Sequence, residues 1–346
     1  HPDPARAAVW GLIRSAQAEH PGRFALVDTD DHPDSVRALV RAIASDEPQL
    51  AVRAGTSLAP RLREHQPSDT AGMPFGAHSN VLITGGLGAL GRVVARHLTE
   101  LHGVRRLVLT GRRGLDTPGA EEFVAKLEAT GTQVTVAACD TADRAAVAAL
   151  LDGLEQPPTA VVHSAGVLDD VLVEGLTPER LNAVLRPKAD AALHLHELTR
   201  HLDLSAFVLF SSLAGMLGTA GQGNYAAANT FLDALARRRH AEGLPAVSLA
   251  WGLWAGEGDM AAGLGSTDLL RLSRSGVAPL SADEGLTLFD AAVADGAPVL
   301  APARLDHRGP HTPTVPPGPR GPPPPGGGVA RPAPRHRLRH RVQGLR

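Results

Sequence analysis

The chain has 346 residues, which is enough for two domains or for one large domain with a tail. Its formal net charge of −2 gives no electrostatic preference for nucleic acid, and the single cysteine, Cys139, excludes an internal disulfide framework and a cysteine-based metal site. Because no apolar run approaches the roughly 20 residues of a membrane-spanning helix and the N-terminus lacks a signal-peptide pattern, we predict a cytoplasmic protein without a membrane, nucleic-acid or metal partner.

The N-terminal segment alternates helical and strand-like patterns and has no glycine-rich phosphate loop. Apolar residues have helical spacing at 7–18 and 35–44, and strand-like runs occur at 24–28 and 50–53. An α/β piece of this kind is expected to pack against a second domain rather than to bind a cofactor. Small and polar residues at 67–78 predict the linker to that domain.

A glycine-rich loop follows the next predicted strand. The apolar run Val81–Thr84 leads into Gly-Gly-Leu-Gly-Ala-Leu-Gly and then into a helical pattern, and Gly86, Gly88 and Gly91 match the motif G-x-G-x-x-G. The three glycines of this motif allow a tight turn, a close approach of the backbone to a pyrophosphate, and close packing of the helix. The sequence therefore predicts a dinucleotide site with contacts at Thr84, Gly85, Gly86, Gly88, Leu90 and Gly91.

The end of the second strand of this domain indicates which dinucleotide binds. An NAD site usually has an acidic residue there for the ribose 2′-hydroxyl, whereas an NADP site offers an arginine to the 2′-phosphate. Here the strand at 106–110 is followed by Gly111, Arg112 and Arg113, with no acid at its tip. We therefore predict NADPH rather than NADH, with Arg112 as the first choice for the phosphate contact.

Three polar side chains are predicted to converge at the end of a later strand. The apolar run Phe207–Phe210 ends in two serines, the second of which is Ser212, and Tyr225 is the only tyrosine of the chain. Asn229 lies four residues after Tyr225 in a helical pattern, so the two share a helix face. Taken singly, each has an ordinary structural role, as a strand end, a core aromatic and a surface amide. Together they form a candidate active site.

The arrangement of Ser212, Tyr225 and Asn229 resembles the active site of short-chain dehydrogenase/reductases. The usual lysine four residues after the tyrosine is replaced by Asn229. In the ketoreductase domains of modular type I polyketide synthases, the lysine and the asparagine exchange places, and Lys188 in Leu-Arg-Pro-Lys-Ala-Asp stands where that family has its lysine. The resemblance covers about residues 5–306.

The resemblance implies the fold. Residues 76–306 are expected to form a Rossmann-like, doubly wound parallel sheet of the short-chain dehydrogenase/reductase type. Residues 1–75 are expected to be the C-terminal part of a truncated, degenerate Rossmann-like structural subdomain that binds no cofactor. The Pro/Gly/Arg-rich segment 307–346 cannot bury a core, and its composition predicts a disordered tail.

The resemblance also implies the chemistry, which is reduction of a β-ketoacyl thioester with NADPH. The substrate would be tethered to an acyl carrier protein, and the partners would be other domains of a synthase module. Ser212, Tyr225, Lys188 and Asn229 would form the catalytic tetrad, in which the charge of Lys188 brings the pKa of the Tyr225 phenol closer to the working pH. Further cofactor contacts are implied at Arg112, Arg113, Asp140, Ala165, Gly166, Lys188 and Tyr225. His163, which ends a predicted strand, is assigned no chemistry.

Stereochemical markers of the family are also present. Leu168-Asp169-Asp170 marks the subtype that produces the D-configured β-hydroxyl, and Leu217 stands where the opposite subtype has a tryptophan. Ala220 and Gln222 replace the proline and histidine that are associated with α-epimerisation, so the chain resembles the non-epimerising form. A Gly-rich stretch at 251–270 that contains Trp254 and Met260 is predicted to be a lid over the ligand.

Two alternatives remain open at this point. One is a stand-alone NADP-dependent short-chain reductase, which the Lys/Asn exchange and the N-terminal segment disfavour. The other is a non-catalytic, NADPH-binding or structural module of a synthase, which the intact tetrad disfavours.

Overall fold

The computed structural model describes residues 3–67, 72–255 and 276–305, together with the main chain of 342–344. The helices are α1 (Pro4–Glu19), α2 (Pro33–Ile43), α3 (Ala89–Glu100), α4 (Ala120–Glu128), α5 (Arg144–Asp152), α6 (Pro178–Leu185), α7 (Ala191–Thr199), α8 (Leu213–Leu217), α9 (Gly223–Ala241) and α10 (Ala282–Asp295). The strands are β1 (Leu26–Thr29), β2 (Gln49–Arg53), β3 (Thr56–Leu58), β4 (Arg63–His65), β5 (Asn80–Thr84), β6 (Arg106–Gly111), β7 (Gln133–Ala138), β8 (Ala160–His163), β9 (Ala206–Ser212), β10 (Val247–Trp251), β11 (Val277–Ala278), β12 (Val299–Pro302), β13 (Arg304–Leu305) and β14 (Val342–Gly344).

A parallel sheet forms the centre of the molecule. Its strands lie in the order β12-β10-β9-β8-β5-β6-β7, and each neighbouring pair is parallel. Strands β5, β8 and β10 are buried along their whole length because apolar residues pack on both faces of the sheet. Among the described residues, no helix combines the length and the apolar composition that crossing a bilayer requires.

A smaller sheet forms the N-terminal unit. β1 and β2 pair in parallel, and β3 returns antiparallel to β2. Ala38 and Ala42 of α2 pack on Leu50 and Val52 of β2, so this unit has a small core of its own. The predicted fold, a Rossmann-like parallel sheet of the short-chain dehydrogenase/reductase type preceded by a degenerate Rossmann-like subdomain, is confirmed.

Antiparallel strands flank the parallel sheet at one edge. β14 pairs with β12 on one side and with β4 on the other. An edge strand such as β12 presents unpaired backbone N–H and C=O groups, which explains why a short segment can join it. β14 lies in the segment predicted to be disordered, and the rest of that tail lies outside the described residues.

Helix α1 packs against α9, and the sequence did not reveal this contact. At Gly11 the two helices come so close that a Cβ atom would lie 2.3 Å from both the carbonyl oxygen of Ala226 and Oγ1 of Thr230. Arg14 extends the contact, because its Nη1 donates a hydrogen bond to the carbonyl of Gly215 at 2.8 Å. The N-terminal unit is therefore joined directly to α8 and α9.

We predict that Gly11→Ala destabilises the protein. Alanine is favoured over glycine by about 1 kcal/mol in a helix, but the added methyl group would force α1 away from α9, and overpacking of this kind typically costs about 1–3 kcal/mol. Thermal unfolding monitored by circular dichroism measures the net effect.

Gly76→Ala is the matched control, since a Cβ atom there would meet nothing within 4 Å. A Gly11→Ala variant that unfolds at the same temperature as the wild type, or at a higher one, would contradict the close packing of α1 on α9.

Candidate active site

The glycine-rich loop connects β5 to α3 and keeps its turn only because side chains are absent. Gly85 has a φ of +68°, which favours glycine, and a Cβ at Gly91 would lie 2.2 Å from the carbonyl oxygen of Gly85. Gly86 and Gly91 are buried, whereas Gly88 is exposed and precedes the first residue of α3. The start of α3 and its free N–H groups therefore face a cradle that suits a phosphate.

The contact predicted at Thr84 stays a prediction, and the side chain of this residue already has a hydrogen-bond partner. Its side chain is fully buried, its hydroxyl pairs with Nδ1 of His163 at 2.6 Å, and its carbonyl oxygen accepts from the backbone N–H of Ser164 at 3.1 Å. Thr84 consequently joins the start of the glycine-rich loop to His163 and Ser164 through these hydrogen bonds. Gly85, Gly88 and Leu90 remain accessible to a ligand.

The next two strands end beside this loop. Arg112 and Arg113 follow β6 directly and are exposed, and among the described residues neither guanidinium has an ion pair or a hydrogen bond. Asp140 follows β7, is exposed and accepts the backbone N–H of Ala142 at 3.1 Å. Two unpaired cations therefore lie at the strand end where the sequence predicts a phosphate contact.

Ser212 is the last residue of β9 and also begins α8. Its Oγ accepts the backbone N–H of Ala214 at 3.2 Å, which caps the short helix. Since the oxygen acts as an acceptor in this bond, the hydroxyl proton is free to be donated elsewhere. Ser212 is half-buried at the carboxyl edge of the sheet.

Tyr225 lies in the first turn of α9, and its side chain is within hydrogen-bonding reach of Ser212 and Asn229. Burial raises the pKa of the Tyr225 phenol, the nearby charge of Asp170 raises it further, and the hydrogen bonds with Asn229 and Ser212 offset part of this effect. This direction is opposite to the lowered pKa that the sequence led us to expect. The phenol therefore carries its proton at neutral pH.

Asn229 is fully buried on the same helix. Its Nδ2 donates to the carbonyl of Tyr225 at 2.8 Å, but its Oδ1 is buried without a hydrogen-bond partner among the described residues. A buried acceptor without a partner is costly and is expected to be satisfied by water or a ligand.

Lys188 lies in a π-helical turn, Arg186–Asp190, between α6 and α7. π-Helical turns are rare in proteins, and those that do occur are often at functional sites. The buried Nζ donates to the carbonyl of Phe210 at 2.5 Å and lies 5.4 Å from the centre of the Tyr225 ring. Burial lowers the pKa of Lys188 to about 8, although the charge of Asp233 opposes the shift.

His163, to which the sequence analysis assigned no chemistry, has a hydrogen-bond partner at each ring nitrogen. Its Nε2 lies 2.9 Å from the carbonyl oxygen of Lys188, and its Nδ1 faces the hydroxyl of Thr84. Because a carbonyl only accepts, Nε2 carries the proton and Nδ1 accepts from the hydroxyl. Burial, assisted by the charge of Lys188, lowers the pKa of His163 to about 3, so the ring is neutral. It joins β5 and β8 to the turn that holds Lys188.

The loop after β8 borders the same site. A Cβ at Gly166 would lie 3.6 Å from Nζ of Lys188, and Ala165 lies against Gly85. Leu168 packs on the small cluster that contains Tyr225. Gly166 therefore lies beside Lys188, and Leu168 lies beside Tyr225.

Asp169 and Asp170, in the loop after β8, bind different side chains. Asp169 forms an ion pair with Arg180, which lowers the pKa of its carboxyl group. Asp170 accepts a hydrogen bond from Nε2 of Gln222 at 3.0 Å. Leu217, at the end of α8, is 40% exposed, so its side chain is available to contact a ligand.

Trp254, one of the two predicted lid residues, packs on other described residues. Its ring packs on Trp251, with the ring centroids 4.8 Å apart, and on Gly285, where a Cβ atom would lie 2.4 Å from the ring. The absence of a side chain at Gly285 creates the space that holds Trp254 against α10. Met260, the other predicted lid residue, lies outside the described residues.

Two protein-family models match the chain. The model of the KR domain family matches residues 79–256. A second model, described as the Rossmann fold domain of the polyketide synthase extender module SpnB, matches residues 1–62.

Individual proteins are also similar. The chain is 56% identical over 306 residues to the spectinabilin polyketide synthase system protein NorA' of Streptomyces orinoci, a match that covers 88% of this chain but 8% of that protein. It is 58% identical over 232 residues to mycoketide-CoA synthase of Mycobacterium tuberculosis, covering 66% of this chain and 6% of that protein. The chain thus spans a small fraction of these relatives.

Solved structures show the same similarity. A structure of A-type ketoreductases from a modular polyketide synthase matches with a TM-score of 0.81 and 45% identity, over 88% of this chain and 65% of that chain. The first ketoreductase of the tylosin synthase matches with a TM-score of 0.80 and 41% identity, over 87% and 65%.

We predict that the burial of Lys188 makes stability depend on pH. Between about pH 8 and 10.5 the unfolded chain holds this proton whereas the folded chain has released it, so the free energy of unfolding should rise with pH in that window. Relative to Lys188→Met, the wild type should gain on the order of 3 kcal/mol across it. Denaturant unfolding of both proteins at several pH values measures the difference.

Lys126→Met is the control at the other lysine of the chain, whose side chain is 70% exposed. The difference between that variant and the wild type should stay flat. A flat difference for Lys188→Met as well would show that the Lys188 ammonium is not desolvated.

Proposed function

Because this chain belongs to the KR domain family of modular polyketide synthases, we propose that it reduces a β-ketoacyl thioester to the β-hydroxyacyl thioester with NADPH. The proposed substrate is carried by an acyl carrier protein, and the proposed partners are other domains of a synthase module. One observation carries the proposal: Ser212, Tyr225 and Lys188 meet beside the glycine loop at one edge of the sheet.

The residues of the site fit a dinucleotide. The glycine cradle at the start of α3 suits a pyrophosphate, since a Cβ at Gly91 would fill the turn. The buried Oδ1 of Asn229, which lacks a partner among the described residues, suits a hydrogen bond from a bound water molecule or from Lys188. NADPH, when bound, supplies the hydride for the β-keto carbon.

Ser212 and Tyr225 are proposed to donate hydrogen bonds to the keto oxygen of the substrate. As this oxygen gains negative charge, both hydroxyls donate hydrogen bonds to it, and the Ser212 proton is free to do so because its Oγ accepts from Ala214. Burial keeps the Tyr225 phenol protonated, so it can then transfer its proton to the oxygen. Removal of one such donor in other enzymes costs about 3–4 kcal/mol of activation free energy.

Lys188 is proposed to stabilise the phenolate that remains after this transfer. With a pKa of about 8 it is mostly charged near neutral pH, and its Nζ lies 5.4 Å from the phenol ring. A positive charge at this distance favours the deprotonated form of Tyr225. Lys188 would therefore act after proton transfer more than before it.

NADPH is proposed over NADH on the basis of Arg112 and Arg113. Both are exposed at the end of β6, where a Rossmann site meets the 2′-position of the ribose. A 2′-phosphate would give these unpaired cations a charge-assisted partner.

The proposed product has the D-configured β-hydroxyl, and no α-epimerisation is expected. The Leu168-Asp169-Asp170 sequence and Leu217 support the first point through the resemblance to the D-hydroxyl subtype. Ala220 and Gln222 support the second. Analysis of the hydroxyl epimer in the product tests the assignment.

We predict that Tyr225→Phe lowers turnover by about 10²- to 10⁴-fold, because the proton donor is lost. Ser212→Ala should lower it by about 10²- to 10³-fold, because one hydrogen bond to the developing oxyanion is lost. NADPH oxidation with a β-keto thioester, followed by absorbance, measures both. NADPH affinity, measured by fluorescence, should be largely unchanged.

Ser205→Ala is the control for hydroxyl removal, since Ser205 is exposed at the opposite end of β9. It should turn over like the wild type. Full turnover by a folded Tyr225→Phe variant would refute the assignment of the proton donor.

We predict that Arg112→Ala raises the KM for NADPH by about 10- to 100-fold, with a much smaller change for NADH. Hydrogen bonds to charged groups contribute about 1.5–3 kcal/mol, and a tenfold change corresponds to about 1.4 kcal/mol. Steady-state kinetics with each cofactor separate the two effects.

Arg105→Ala, at the other end of β6, is the control. An equal loss of affinity for NADPH and NADH in Arg112→Ala would place the 2′-phosphate contact elsewhere.

A further inference from the structure

We propose that Glu19 is a positioning residue for the substrate side of the active site, an inference that rests on the proposed function. Glu19 lies in the last turn of α1, in the N-terminal unit, yet its carboxylate bonds to the other unit. Oε2 accepts the backbone N–H of Val173 at 2.7 Å, and Oε1 accepts that of Gly221 at 2.9 Å. One side chain thus holds two separate loops.

These two loops carry the residues that the substrate would meet. Val173 follows the Leu-Asp-Asp sequence by three residues, and Gly221 precedes Tyr225 by four. The loops are also joined to each other, because the N–H of Val171 donates to the carbonyl of Gly221 at 2.7 Å. The loop before the catalytic tyrosine and the loop of the stereochemical markers therefore form one layer.

Side chains continue this layer towards the site. Nε2 of Gln222 donates to Oδ2 of Asp170 at 3.0 Å, and Nδ2 of Asn224 donates to the carbonyl of Asp169 at 2.8 Å. Oδ1 of Asn224 accepts the backbone N–H of Tyr225 at 2.8 Å. A shift of either loop would therefore move Asp169 and Asp170 relative to Tyr225.

We call the two hydrogen bonds that the Glu19 carboxylate accepts from Val173 and Gly221 the clamp. The clamp depends on the carboxylate group of this side chain. The two N–H donors lie at different oxygens of Glu19, and a carboxylate supplies both oxygens with charge-assisted bonds. Glutamine would keep one acceptor but turn an NH₂ group towards the second N–H. Glutamate near a helix C-terminus is unfavourable for the helix dipole, so its position in α1 is not explained by the helix itself.

A neighbouring contact between His20 and Glu174 offers a matched control. His20, the next residue, lies with its Nε2 2.8 Å from Oε1 of Glu174 in the same loop, but Glu174 is 63% exposed and takes no part in the clamp. Glu174→Gln removes this charge and leaves both bonds of Glu19 in place.

The experiment compares Glu19→Gln, Glu19→Ala and Glu174→Gln in the full chain. Measured quantities are kcat and KM for a β-keto thioester, the Kd for NADPH, the ratio of hydroxyl epimers, and hydrogen exchange of the Val173 and Gly221 amides. For Glu19→Ala we expect KM to rise about tenfold, the minor epimer to increase severalfold, both amides to lose protection, and the Kd to stay within about twofold. Glu19→Gln should fall between this variant and the wild type, and Glu174→Gln should match the wild type.

Unchanged KM, epimer ratio and exchange in a folded Glu19 variant would overturn the proposal. So would a loss of thermal stability and kcat with the epimer ratio and KM unchanged, because Glu19 would then only join the two units. If the wild type fails to reduce the thioester, the proposed function fails, and the amide exchange of Glu19→Gln still decides whether the clamp holds the two loops.

Discussion

The parallel alignment of the central sheet is the constraint on which the candidate site depends. Because β5, β6, β8 and β9 run in the same direction, their carboxyl ends meet at one edge, as in other doubly wound sheets that bind ligands there. The glycine loop and Arg112 directly follow β5 and β6, and His163 and Ser212 are the last residues of β8 and β9. Lys188 joins them through its bond to the carbonyl of Phe210 in β9.

The described residues of the N-terminal unit include no glycine-rich phosphate loop, but they contact the elements of the candidate site at several points. Gly11 lets α1 approach α9 closely, Arg14 donates to the carbonyl of Gly215 in α8, and Glu19 accepts the backbone N–H groups of Val173 and Gly221. Since Tyr225 is in the first turn of α9, the position of its phenol depends on this packing. The N-terminal unit therefore helps to position the candidate site, although the residues of that site belong to the larger unit.

Local patterns were enough to predict most elements, the glycine cradle and the convergence of Ser212 with Tyr225, because periodicity and glycine positions are readable along the chain. Contacts between segments that are distant in the sequence could not be predicted from such local patterns. The packing of Trp254, for example, depends on Gly285, which makes room for its ring and comes much later in the chain. The raised pKa of Tyr225 was missed because the sequence indicates a neighbouring charge, Lys188, but not the degree of burial that outweighs it.

The most direct test of the account is the transfer of deuterium from C4-deuterated NADPH in a single turnover with a β-keto thioester. The product is predicted to be the D-configured hydroxy thioester. It should carry one deuterium atom at its β-carbon when the C4 hydrogen of NADPH that is transferred is the labelled one. A folded protein that binds NADPH but leaves the label on the cofactor, with the thioester unreduced even on its carrier protein, would contradict a catalytic site at the edge of this sheet.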